Sequence, residues 1–168
     1  SDYAAACVLP ALLARIRREA PGIRLRVHHA GRVNAPALLR SGELDLALGV
    51  FNQLTADLVT CPVADEPYLC AVDALAGLQA PLTPQDYLDA EHINVLVQGD
   101  TLGVIDDALA RQGLARRISL TVPHFGTALA LLAGSPFIYT GPAGLFKPAA
   151  VRRRLRLFPP PFALPGFP

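Results

Sequence analysis

The amino-acid sequence predicts an α/β domain, and three observations carry that reading. Segments with helical spacing alternate with short segments of strand length, Gly, Pro, Asn and Ser punctuate the joins, and the linkers run to only a few residues. At 168 residues the chain fits one domain or two small lobes, and 52% hydrophobic content is ample for a core.

The first helix is expected from about Tyr3 to Glu19, with Cys7, Leu13 and Ile16 available to an inner face; Pro10 should kink it or mark its true start. Ser1 and Asp2 have short side-chain oxygens suited to the free N–H groups of a first turn. After Pro21-Gly22, IRLRVHH (23–29) alternates apolar and polar residues as a one-faced strand does. Asn34 can cap the next helix, which has Pro36 in its first turn and closes at Ser41-Gly42. Leu44, Leu46, Leu48 and Val50 then share one face of a second strand. Helix, strand, helix, strand in that order makes right-handed crossovers and a parallel sheet the economical topology.

The same logic continues. DEPYLCAV reads as a strand, LTPQDYLDA as a helix capped by Thr83, INVLV as a buried strand, and LGVIDDALARQGL as a helix stopped by Gly113. RRISLTV, TALALLAG, FIYT, a final helix interrupted by Pro148, and the strand LRLFPPPF complete the order. A chain entering a second α/β unit near residue 69 and leaving near 155 crosses between lobes twice, which predicts residues 1–68 plus 155–168 in one lobe and 69–154 in the other, with a hinged cleft.

Composition excludes several function classes. With 15 basic and 14 acidic residues the net charge is +1, too little to hold nucleic acid non-specifically. The longest apolar stretches fall well short of the roughly 20 residues of a membrane span, and no leader-like start is present. Cys7, Cys61 and Cys70 lack CxxC spacing and sit among apolar neighbours, which favours buried thiols over a disulfide or zinc framework. No GxSxG, HExxH, GxGxxG or Walker A motif occurs, so neither catalysis nor a metal or cofactor is expected. His28 and His29 point to opposite faces of their strand and make no metal pair. His92 reads as a polar residue at a strand edge, whereas His124, with Phe125, follows a strand at the end where open α/β sheets bind ligands. Arg15, Arg17, Arg18 and Arg152 to Arg154 lie near helix C-termini, where cations favour the dipole on a solvated face.

SDYAAACVLPALLARIRREAPGIRLRV, LLRSGELDLALGV and TVPHFGTALALLAGSPFIYTGP together resemble the effector-binding domain of LysR-type transcriptional regulators. The PHF and LLAGS segments are similar to the branch that senses aromatic acids and flavonoids. The resemblance spans nearly the whole chain and implies a type II periplasmic-binding-protein-like fold, two α/β lobes around a hinged cleft. It implies a cytoplasmic regulatory module that binds a small effector, forms a homodimer or higher homo-oligomer, and meets DNA only through a helix-turn-helix domain upstream of this chain; a transport-type solute-binding protein of the same fold is the alternative. The sequence departs from the family in lacking Trp and in reading VDALAGLQA where an HPLA-type turn is usual. The family has a strand immediately before a segment like SDY and normally runs on after one like PPPF through another strand and helix, which the resemblance implies beyond both ends of this sequence.

The same resemblance implies the ligand contacts. Ser1, Asp2 and Tyr3 start a helix whose N–H groups face the cleft, although the Asp2 carboxylate opposes an anionic ligand and leaves a phenol or amide end open, and capping alone is the plainer reading of Ser1 and Asp2. Arg32, Gly49, Val50 and Phe51 follow from the first lobe, and Gly99, Asp100, Thr101, His124, Phe125, Thr140 and Gly141 from the second. Phe51 and Phe125 can sandwich a ring in a mostly apolar pocket.

Overall fold

The computed structural model describes residues 1–31, 33–51, 55–78, 81–97 and 103–166. The chain divides into two compact units, residues 1–61 and 62–168.

The described residues of the first unit form helices joined by irregular chain. Helix α1 (Asp2–Cys7) and helix α2 (Leu9–Glu19) meet at Val8, because Pro10 falls in the first turn of α2 where its missing N–H costs nothing, whereas it cannot continue a helix begun at Asp2. Helix α3 (Ala35–Ser41) has Asn34 at its N-cap position, without a side-chain cap bond, and Pro36 in its first turn. Gly42 at φ 75° turns the chain left-handed, which lets the N–H groups of Gly42 and Glu43 close on the last α3 carbonyls. Arg40 then reaches Asp57 at 2.9 Å and Thr55 at 2.7 Å.

Residues 23–29 and 44–50 form no strand, the second segment bending at Asp45 and Gly49, against the sequence expectation of a parallel sheet here. Alternation makes a strand only where a neighbour supplies a hydrogen-bond ladder, and among the described residues of this unit none does. Ile23, Leu25 and Val27 are consequently about half exposed.

The second unit holds a mixed five-stranded sheet in the order β3-β2-β4-β1-β5, formed by β1 (Tyr68–Asp73), β2 (Glu91–Val95), β3 (Arg117–Val122), β4 (Ile138–Pro142) and β5 (Leu155–Phe158). Strands β3, β2 and β4 run parallel, and β1 pairs antiparallel with both β4 and β5. A bulge between His92 and Ile93 shifts the β2–β3 register. Helices α4 (Pro84–Asp89), α5 (Val104–Ala110), α6 (Phe125–Leu132) and α7 (Ala149–Arg152) fill the connections. Thr83 and Asp86 close a reciprocal capping box on α4. Pro148 separates α7 from a 3-10 turn at Ala143–Phe146, as its missing N–H predicts.

Strand β4 is buried at all five positions, so side chains cover both sheet faces. On one face Cys70, Val72, Tyr87, Ile105, Leu109, Ile138 and Phe158 form the core, with Phe162 edge-on to Tyr87 at 5.4 Å between centroids. On the other, Tyr139 meets Phe146 at 6.1 Å. Asp73 closes the end of β1 by accepting from the N–H groups of Leu75 at 2.8 Å and Gly134 at 2.7 Å, which hold its carboxyl below the usual carboxylate range.

His92 lies inside β2, fully buried, not at a strand edge. Its Nε2 sits 2.7 Å from the Tyr87 carbonyl and its ring 4.4 Å from the Tyr87 ring. Burial pushes its pKa down from 6.5 to about 4. Between those values the unfolded chain binds the proton and the folded chain does not, so His92 leaves stability untouched above about pH 6.5 and costs progressively more as pH falls toward 4, about 3 kcal/mol in all. Denaturant melts from pH 7 to 4 should show this loss, and His92→Asn should flatten that part of the profile; an unchanged pH slope in the variant assigns the loss to other groups.

Candidate functional site

Three parallel strands end together. Val95 of β2 pairs with Val122 of β3, and β2 also runs parallel beside β4, so the C-terminal ends of all three lie on one sheet edge; Tyr68, the first residue of β1, pairs with Pro142 there. That edge is where α/β sheets offer helix starts and loop backbone to ligands. His124 follows β3 with extended backbone (φ −130°, ψ 138°), is exposed, and takes the N-cap position of α6 without a side-chain cap bond. Phe125, half-buried, is the first residue of that helix.

Thr140 and Gly141 end β4 at the same edge, both buried. The Thr140 hydroxyl points into the core, 3.0 Å from the Tyr87 hydroxyl and 3.4 Å from Cys70 Sγ. A Cβ on Gly141 would come within 2.6 Å of the Tyr139 hydroxyl, so only glycine lets the phenol lie across the strand. The Cys70 thiol is pushed up to about 11 by burial. It is the one cysteine that matches the buried expectation, since Cys7 is half-buried and Cys61 exposed.

The sequence-expected residues of the first unit are described within that unit. Ser1 occupies the N-cap of α1 without a side-chain cap bond, Asp2 is half-buried and Tyr3 buried. The ring of Phe51 folds back over Gly49, 3.3 Å from where a Cβ would stand, with Val50 half-buried between them. Arg32, Gly99, Asp100 and Thr101 lie outside the described residues.

Beneath the edge runs a polar network that the sequence did not reveal. Arg116, its side chain 1% exposed, donates from Nε to Asp106 at 2.7 Å and from Nη2 to Asp106 at 2.9 Å and to Asn94 at 3.0 Å. Only the N-terminal position of Asp106 in a helix hinted at a role, since carboxylates there complement the dipole.

Two hollows open on the surface of the second unit. One of about 590 Å³ lies between Asp65–Leu69 and the Pro159–Gly166 segment, and one of about 350 Å³ lies between α6 and α7, with Arg154 on its rim. Among the described residues no cluster of His, Cys, Asp and Glu could hold a metal ion, and no helix is long and apolar enough to cross a membrane.

The family described as LysR substrate binding domain matches residues 1–168. The HTH-type transcriptional activator NagR of a Ralstonia species is 27% identical over 94% of this chain and 52% of its own length. The solved regulatory domain of MexT, a transcriptional activator in Pseudomonas aeruginosa, is 32% identical, with a TM-score of 0.81 over 99% of this chain and 83% of that one. The effector binding domain of QuiR, solved in complex with shikimate, shares the fold at a TM-score of 0.72 and 17% identity, over 98% of this chain and 79% of that one. The chain spans about half the length of the curated relatives it matches. Its α/β content and mixed sheet agree with the type II periplasmic-binding-protein-like fold of such domains. With a family match over every residue and a solved regulatory domain superposing along nearly the full length of this chain, the chain belongs to the LysR substrate binding domain family.

Proposed function

We propose that this chain is the effector-sensing part of a transcription regulator, and that it binds a small ring-bearing carboxylate. The observation that carries the reading is the common edge of β3, β2 and β4, where His124 and Phe125 follow one strand end and open a helix. Phe125 supplies an apolar ring face and His124 a hydrogen bond for orientation. The shikimate in the QuiR domain is a ring carboxylate of that chemical class. Backbone at Thr140 and Gly141 belongs to the same edge, and the reading extends to Ser1, Asp2, Tyr3, Gly49, Val50 and Phe51 of the first unit and to Arg32, Gly99, Asp100 and Thr101.

Function then rests on differential binding, not on turnover: an effector that prefers one arrangement of the domain shifts the population toward it, and a DNA-binding helix-turn-helix outside this chain reads the shift in the cytoplasm. Lobe boundaries at 68/69 and 154/155 fall at the starts of β1 and β5, neighbouring antiparallel strands through which the chain would enter and leave. Helix α2 has no buried residue and is strongly one-sided, and Ile23, Leu25 and Val27 present apolar surface, which supports a homodimer that covers them.

Calorimetry with benzoates, salicylates, shikimate and flavonoids tests the ligand class. At least one ring acid should bind, and His124→Ala should weaken it about ten- to a hundredfold, the value of a hydrogen bond to a charged group. Phe125→Ala should weaken it as well. Unchanged affinity in both variants moves the site elsewhere. For assembly, light scattering at tens of micromolar should give twice the chain mass, and Leu25→Glu with Val27→Glu should return it to one; a wild-type monomer removes the dimer.

A further inference from the structure

Arg116 precedes β3 and belongs to none of the ligand contacts proposed above, yet its guanidinium joins two elements that reach the ligand edge. Asn94 stands one residue before the end of β2, and Asp106 lies in the first turn of α5. Gly103, the N-cap of α5, is packed against both acceptors: a Cβ there would stand 3.1 Å from Asp106 Oδ2 and 3.4 Å from Asn94 Oδ1. The planar fork of arginine satisfies the two oxygens of one carboxylate and an amide oxygen together, which an ammonium cannot do. Among the described residues, Arg116 Nη1 is buried without a hydrogen-bond partner, so the guanidinium is held on Asp106 and Asn94 through its Nε and Nη2 donors.

We propose that Arg116 is a positioning residue for effector binding: by clamping Asn94 and Asp106 it fixes the end of β2 relative to the start of α5 at the ligand edge, and so sets affinity without touching the ligand. The inference rests on the proposed function for its ligand, while the clamp itself can be tested without one. A merely structural ion pair would affect stability alone. Replacing a buried pair by apolar residues of similar volume commonly preserves stability, so Arg116→Met with Asp106→Leu separates the two roles. Arg116→Lys serves as the second variant, because it keeps the charge and loses the fork.

Both variants, in the full chain, are to be measured for thermal midpoint, for affinity toward whichever ring acid binds the wild type, and for amide hydrogen exchange. The expected result is a midpoint near that of the wild type in the double variant, affinity about tenfold weaker in both, and faster exchange confined to Leu96, just past β2, and Asp107 in the first turn of α5, whose N–H groups bond the Val122 and Gly103 carbonyls. Unchanged exchange at those amides overturns the clamp, and faster exchange with unchanged affinity overturns its role in binding. If no ring acid binds the wild type, the proposed function falls, whereas the exchange measurement still decides the clamp.

Discussion

A charge stripped of water must find its partners in place, and the second unit is organised around one such charge. The Arg116 side chain is 1% exposed and that of Asp106 14%, a setting in which removing either partner leaves an uncompensated ion costing about 3 to 5 kcal/mol. That penalty constrains what lies nearby. Asp106 must sit in the first turn of α5 and Asn94 must face the same side of β2, while a side chain at Gly103 would press on both acceptors. The neutral state of His92 follows from the same setting: burial is the largest cause of its lowered pKa, and the nearby cation of Arg116 pushes the same way. The next polar groups in the core, the hydroxyls of Tyr87 and Thr140 and the thiol of Cys70, satisfy one another, as low-dielectric surroundings require.

Local chemistry made much of the second unit legible in the sequence. Thr83 and Asp86 stand at capping-box spacing, Gly113 follows α5 with positive φ, and Pro148 divides the last helical stretch, each by a short-range rule independent of distant contacts. Pro10 and Gly42 acted as boundaries in the first unit for the same reason. The failure at 23–29 and 44–50 is of another kind. Their alternation is a correct statement about which side chains share a face, but a strand is a property of two chains of backbone, and spacing within one of them says nothing about its partner.

The positions of the proposed site residues divide along the same line. His124 and Phe125 were legible because a helix start after a strand end is a sequence-local signal, and the parallel register of β3, β2 and β4 then brings that start to a shared edge. Thr140 was legible as a strand end, but its hydroxyl turns toward Tyr87, a contact between residues 53 positions apart that no local pattern encodes. Arg116 was hidden more deeply. In RRISLTV it and Arg117 read alike, yet Arg117 is an exposed cation reaching Glu91 at 3.3 Å while Arg116 is enclosed. Burial of a charged side chain is decided by whether a carboxylate waits for it, here ten residues upstream across a helix and a turn.

Helix α6 gives the proposed ligand edge a mechanical reach beyond its first residues. It begins at His124 and Phe125, and its buried side chains, Ala128 and Leu132, pack against the sheet as a continuous row spaced four apart. Eight helical residues span about 12 Å, and the turn that follows is held by the Gly134 N–H bond to Asp73, at the end of β1 away from the ligand edge. A close-packed helix tied at both ends does not deform progressively; it shifts as a body or not at all. An effector drawing on Phe125, as proposed above, would therefore act on the hook at Asp73 as well, beside the turn where Ala74 donates to the Arg154 carbonyl and β1 is joined to β5. Those two strands carry the chain into and out of the sheet, so the elements that would transmit a signal are the ones to which α6 is already fastened.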